Sequence, residues 1–129
     1  MRRVFAAASL AALLALANLA SAHAILIGSQ PKEAGEVVGP DVDVSLEFNS
    51  RIDAARSSLR LAREEAGTPP LAPVSAGAQV LALADSAEPN KLVARAAGLA
   101  PGEYHLRWQV LSVDGHVSRG SVNFRVRAP

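Results

Sequence analysis

The sequence predicts an all-β domain, a Greek-key sandwich or flattened barrel of immunoglobulin-like size with about seven strands. Three observations carry that expectation. Apolar and polar residues alternate with a period of two in three separate stretches, and clusters of Pro, Gly, Asn and Asp recur between them. No stretch between these segments shows a clear helical period, so the strands are expected to pair antiparallel.

Taken in chain order, the first feature is a leader. Arg2 and Arg3 precede an apolar run from Val4 to Leu19 that is broken only by Ser9 and Asn18, and Ala20-Ser21-Ala22 follows. This is the charged, apolar, small-residue order of a secretory signal. The run is shorter than the roughly 20 residues a membrane-spanning helix needs. Residues 1–22 are therefore expected to be removed on export, leaving residues 23–129 as one domain with no membrane insertion. A second frame, Ala22-His23-Ala24, also fits the small-x-small pattern, and a cut there would leave Ile25 first.

Within the domain, Ala24 to Ile27 is a short strand candidate, closed by Gln30-Pro31 through Gly35. From Val42 to Phe48, Val42, Val44, Leu46 and Phe48 alternate with Asp43, Ser45 and Glu47, the pattern of a strand with one buried face. Arg51 to Glu65 has Ile52, Leu59 and Leu61 at mixed spacings, which predicts one helical turn followed by a strand at Ser58 to Leu61. The alanine-rich stretch from Ala66 to Ala87 carries Pro69-Pro70 and little bulk, so a long surface loop is expected there, with a weak strand at Val80 to Ala84. Another short strand covers Leu92 to Ala94. Tyr104, Leu106, Trp108 and Val110 then alternate with His105, Arg107 and Gln109, and Val122, Phe124 and Val126 with Asn123 and Arg125. Trp108 and Tyr104 read as core anchors, His105 as a solvated strand residue on the opposite face, and Arg119 as an exposed arginine.

Composition removes several function classes. Without its leader the chain has 11 basic and 12 acidic residues, and no Lys/Arg cluster dense enough for an electrostatic footprint on nucleic acid. It has no cysteine, so its stability must come from the sheet core rather than from disulfides. Its one methionine is Met1, which leaves no soft sulfur site of the kind that selects cuprous ion. Any transition-metal site must use nitrogen and oxygen.

Two features could supply such a site. Cleavage after Ala22 makes His23 the first residue, whose free amine and ring nitrogen can close on one metal ion. The other is Ser112-Val113-Asp114-Gly115-His116, between the last two strands. Asp114 and His116 are two apart, so in an extended segment they would share a face, and Gly115 allows a sharp bend. Asp-Gly between two strands is equally the signature of an ordinary hairpin turn. Together with His23 the segment offers an amine, two imidazoles and a carboxylate, the nitrogen and oxygen donors cupric ion favours, with zinc as its competitor. Protons compete for such an amine, so binding should weaken as acidity rises.

At these residues the chain resembles the CopC family of periplasmic copper-resistance proteins. The resemblance lies in His23-Ala24 with Ser29-Gln30-Pro31 through Gly35, in Leu46-Glu47-Phe48, and in Pro101-Gly102-Glu103-Tyr104 through Trp108. It continues through Ser112 to His116 and Gly120-Ser121-Val122-Asn123-Phe124. It implies a small Greek-key β-barrel holding one Cu(II) per chain through His23 and His116, with Asp114 either binding directly or orienting the site. It also implies delivery to an inner-membrane copper transporter of the CopD type. Some relatives use an acidic residue shortly after the position of Phe48, where this chain has Asn49-Ser50-Arg51, and others carry a methionine-rich loop that is missing here. Val117 stands where many relatives have proline.

The expected function is therefore Cu(II) sequestration or delivery in copper homeostasis by a monomer, without catalysis. Two other classes remain. A histidine-brace copper monooxygenase uses similar ligands, but it needs a large substrate surface and an axial aromatic, and the one tyrosine here sits in a core pattern. A metal-free immunoglobulin-like structural module would show no stabilisation by copper.

Overall fold

Nine strands in two facing sheets make up this computed structural model, which describes residues 23–64 and 78–129. The strands are β1 (Leu26–Gln30), β2 (Gly35–Val38), β3 (Val42–Phe48), β4 (Ile52–Arg63), β5 (Gln79–Leu81), β6 (Leu83–Ala84), β7 (Lys91–Ala96), β8 (Gly102–Ser112) and β9 (Val117–Arg127). One sheet has the order β1-β3-β7-β6 and the other β2-β9-β8-β4-β5. Pairing is antiparallel except between β2 and β9, which run parallel. The expected leader, and residues 66–77 of the expected loop, lie outside the described residues. Among the described residues no helix is long and apolar enough to cross a membrane.

The alternating segments build the core. Val42, Val44, Leu46 and Phe48 of β3 are buried together with Leu92, Ala94 and Ala96 of β7. Facing them are Leu59 and Leu61 of β4, Tyr104, Leu106, Trp108 and Val110 of β8, and Val122, Phe124 and Val126 of β9. Period-two alternation puts every second side chain on one face, so each of these strands turns a continuous apolar face inward. Tyr104 stacks on Phe124 and donates its hydroxyl hydrogen to Ala100 O at 2.7 Å, which satisfies its polar end. The phenol and the indole are core anchors, as the alternation implies.

Several elements differ from the sequence-based expectation. Within the expected segment the described residues Arg51 to Glu64 contain no helical turn, because β4 runs from Ile52 to Arg63 and its register against β8 shifts between Asp53 and Ser58. Ser57 stabilises this irregularity, donating through Oγ to Asp53 O at 2.7 Å and accepting from Leu111 N at 3.1 Å. The mixed apolar spacing is thus that of a bulged strand. The segment expected as one strand at Val80 to Ala84 is split at Ala82: β5 pairs with β4 in one sheet and β6 with β7 in the other. β2 was not expected at all, since it lies in a turn-rich stretch and pairs with β9 at the far end of the chain. These two differences account for nine strands instead of seven. β9 also begins at Val117, well before the alternation at Val122, because its ladder with β8 extends to the hairpin.

Trp108 is held between two neighbours. Its ring meets Phe48 edge to face at 5.1 Å between centroids, and Gly120 lies directly opposite it on β9. A Cβ on Gly120 would collide with the indole. Gly120→Ala is expected to lower stability by about 1–3 kcal/mol through overpacking, read by urea unfolding followed through the fluorescence of this one tryptophan. Unchanged stability and emission would show that the indole has room to move.

Candidate metal centre

The β8–β9 hairpin closes through Val113 to His116. Ser112 N donates to His116 O at 2.8 Å, and Gly115 N donates to Ser112 O at 2.9 Å. Gly115 has φ of 91°, a left-handed conformation that side chains rarely adopt and glycine does readily. This turn, rather than the alternation of an extended strand, brings Asp114 and His116 together, which corrects the same-face expectation. Asp114 Oδ1 accepts from His116 N at 3.1 Å, and Asp114 Oδ2 lies 2.9 Å from His116 Nδ1.

That contact defines the imidazole. With Nδ1–H donated to the carboxylate, Nε2 keeps its lone pair for a metal, and the ring is held in one orientation. The same hydrogen bonds act on the carboxylate. Donation from the His116 ring, and then from its backbone N–H, holds Asp114 below the ordinary value for an aspartate. The hairpin signature and the candidate ligand pair are one and the same structure.

His23 reaches this turn from the other sheet. Ala24 is 3% exposed and belongs to the core, so it pins the arm that precedes β1. Beyond it, Ile25 N donates to Asn49 Oδ1 at 2.8 Å, and Asn49 N donates to Ile25 O at 2.9 Å. The arm therefore ends with the exposed His23 ring against His116, their centroids 4.8 Å apart and their planes at 67°. With metal–nitrogen bonds of about 2 Å, two rings at this separation can share one ion.

All three sequence-predicted residues thus meet in one place. Asp114 stands behind His116, on its Nδ1 side. Among the described residues no three side chains of His, Cys, Asp or Glu converge as ligands on one point. Two imidazoles are the side-chain donors on offer, and any further donor must be a backbone group, a terminal amine or water.

The remaining candidates lie elsewhere. His105 faces outward from β8, with Nδ1 2.6 Å from Asn123 Oδ1 and Nε2 3.6 Å from Glu64 Oε2. Arg119 is exposed and donates from Nε to Gln109 Oε1 at 2.9 Å. Sequence reasoning missed Asn49 as part of this neighbourhood. A polar amide closing the β3 alternation just after Phe48 was the available signal, but the sequence marks that place only by its missing acidic ligand.

Comparison with known proteins gives consistent matches. The family model of the CopC domain matches residues 26–127, a span that includes Asp114 and His116 and begins just after His23. The fold is similar to that of CopC from Methylosinus trichosporium OB3b, with a TM-score of 0.65 and 27% identity over 82% of this chain and 95% of that one. It is also similar to PcoC, a methionine-rich copper resistance protein from Escherichia coli, with a TM-score of 0.63 and 25% identity over 82% of this chain and all of that one. Among curated proteins none matches.

Proposed function

Because the chain belongs to the CopC domain family, we propose that it is a periplasmic Cu(II)-binding protein that sequesters copper or passes it to an inner-membrane transporter. The observation that carries this reading is the meeting of His23 and His116 at 4.8 Å from opposite ends of the chain. The copper-resistance role of the similar Escherichia coli protein supports it. Copper is the cargo here, and no catalytic step is assigned to the domain.

Export would complete the site. Removal of residues 1–22 turns His23 into the amino terminus, so its amine and ring close a chelate on one cupric ion, and His116 Nε2 supplies a second imidazole. Nitrogen donors in a planar arrangement suit cupric ion better than tetrahedral zinc. Asp114 orients His116 and makes it a better donor. The reading requires cleavage after Ala22, since a cut after Ala24 would remove a core residue along with the ligand.

Titration of the processed protein with Cu(II) should give one ion per chain and a spin-resonance spectrum with nitrogen couplings. Binding should weaken steadily as the pH is lowered from 8 to 5, because protons compete for the amine and the imidazoles. Asp114 does not contribute to that decline. A depressed carboxylate keeps its contribution above the unfolded value and loses it only as pH falls through the lower folded one, so Asp114 stays ionised across this window. A chain beginning at Ile25 that binds copper equally well would sink the proposal. Reductant-dependent oxidation of chitin or cellulose would move the chain to the monooxygenase class.

A further inference from the structure

We propose that Asn49 is a positioning residue for the metal centre, with its side-chain oxygen clamping the amino-terminal arm so that His23 stays against His116; this rests on the copper reading above. The arm has few other supports. Ile25 is 59% exposed and contributes little burial, and Ala24 is small. The ladder between β1 and β3 is irregular here, with Leu26 opposite Phe48 but Gly28 opposite Glu47. The regular ladder is thus interrupted between Gly28 and Leu26, and β1 ends at the Leu26–Phe48 pair, three residues short of the ligand.

Asn49 carries the restraint one residue further, to Ile25. One residue takes both backbone polar groups of Ile25, the N–H through Oδ1 at 2.8 Å and the C=O through its own N–H at 2.9 Å. Its own position is in turn secured. Phe48 N donates to Asn90 O at 2.9 Å, Asn90 Nδ2 donates to Phe48 O at 2.9 Å, and the Phe48 ring is fully buried. The chain of restraint thus runs from Asn90 through Phe48 and Asn49 to Ile25, two residues from the candidate ligand. Asn49 is itself exposed, so its side chain has no packing task that would explain it.

The test uses the processed protein and its Asn49→Ala and Asn49→Asp variants. Asn49→Ala removes the acceptor for Ile25 N–H and leaves the backbone bond, whereas Asn49→Asp keeps an acceptor oxygen. In the metal-free protein, nuclear Overhauser cross-peaks between the His23 and His116 rings should be lost in Asn49→Ala and retained in Asn49→Asp. With Cu(II) in competition with a chelator, Asn49→Ala should bind about 10–100-fold more weakly, the range found when a ligand's supporting partner is removed. Nitrogen couplings should fall in the same variant, and Asn49→Asp should restore both readouts. Wild-type cross-peaks, affinity and spectrum in Asn49→Ala would overturn the proposal while leaving the copper reading intact. Unchanged Cu(II) affinity in His23→Ala would instead overturn the copper reading, and the positioning role with it.

Discussion

His116→Ala is expected to abolish tight Cu(II) binding while leaving the metal-free protein folded. The ring contributes the lone pair on Nε2 beside His23, and among the described residues no group of three His, Cys, Asp or Glu side chains offers an alternative metal site. Removing an outer partner such as Asp114 should cost about 10–100-fold in affinity. Removing the ligand itself must cost more than that, so Asp114→Ala supplies an internal scale.

The fold should barely register the change. The turn is closed by backbone bonds, from Ser112 N to His116 O and from Gly115 N to Ser112 O, and alanine retains both. The His116 side chain is 54% exposed, and substitutions at such surface positions usually stay within about 0.5 kcal/mol. Copper at about 100 times its Kd should stabilise the wild-type protein by roughly 2.7 kcal/mol, and that gain should vanish in the variant. Calorimetric titration and thermal melts with and without copper check both halves. Undiminished affinity in His116→Ala would remove the histidine from the site, and a collapse of the metal-free melt would mean that the ring is structural.

Phe48→Ala should have the opposite signature, a large loss of stability that copper only partly offsets. Phe48 is completely buried where β3 ends, and its ring meets Trp108 edge to face, joining the two sheets. Truncating such a ring removes the transfer energy of its apolar atoms and leaves a cavity, typically about 3–5 kcal/mol in all. For a domain of this size that is a large share of the roughly 5–15 kcal/mol that separates folded from unfolded. The melting temperature should fall by about 4–8 °C for each kcal/mol lost. Urea unfolding measures the change directly, with an unchanged slope expected if only stability has moved. A loss below about 1 kcal/mol would show that the neighbouring side chains close the cavity.

The alternation at Val42–Phe48, Tyr104–Val110 and Val122–Val126 was legible because each strand has one buried and one solvated face, and that asymmetry is written directly into residue order. β2 was not legible, since only Val37 packs against the core and its partner β9 lies at the far end of the chain. The bulge at Asp53–Ser58 was read as a helical turn for a related reason. β4 advances from Asp53 to Ser58 while β8 advances only from Leu111 to Gln109, which breaks the period of two, and the Ser57 bonds that accommodate it involve Leu111, far along the chain. At the candidate site, His23, Asp114 and His116 could be named from their chemistry, but the contact of Asp114 with His116 comes from the turn and not from strand alternation. Asn49 was not named, because its contact is one side-chain hydrogen bond to Ile25 in the arm before β1, two dozen residues earlier.

By itself, the sequence determined the strand faces, the absence of sulfur ligands and the nitrogen and oxygen donors available, all of which are properties of residue type and local spacing. Only the tertiary structure decided that the first histidine of the domain and the last share one spot, and which ring nitrogen of His116 is left free. Those outcomes depend on how two sheets pack and where their ladders stop. Distance in space is set by that packing and by individual hydrogen bonds, and no local period records either.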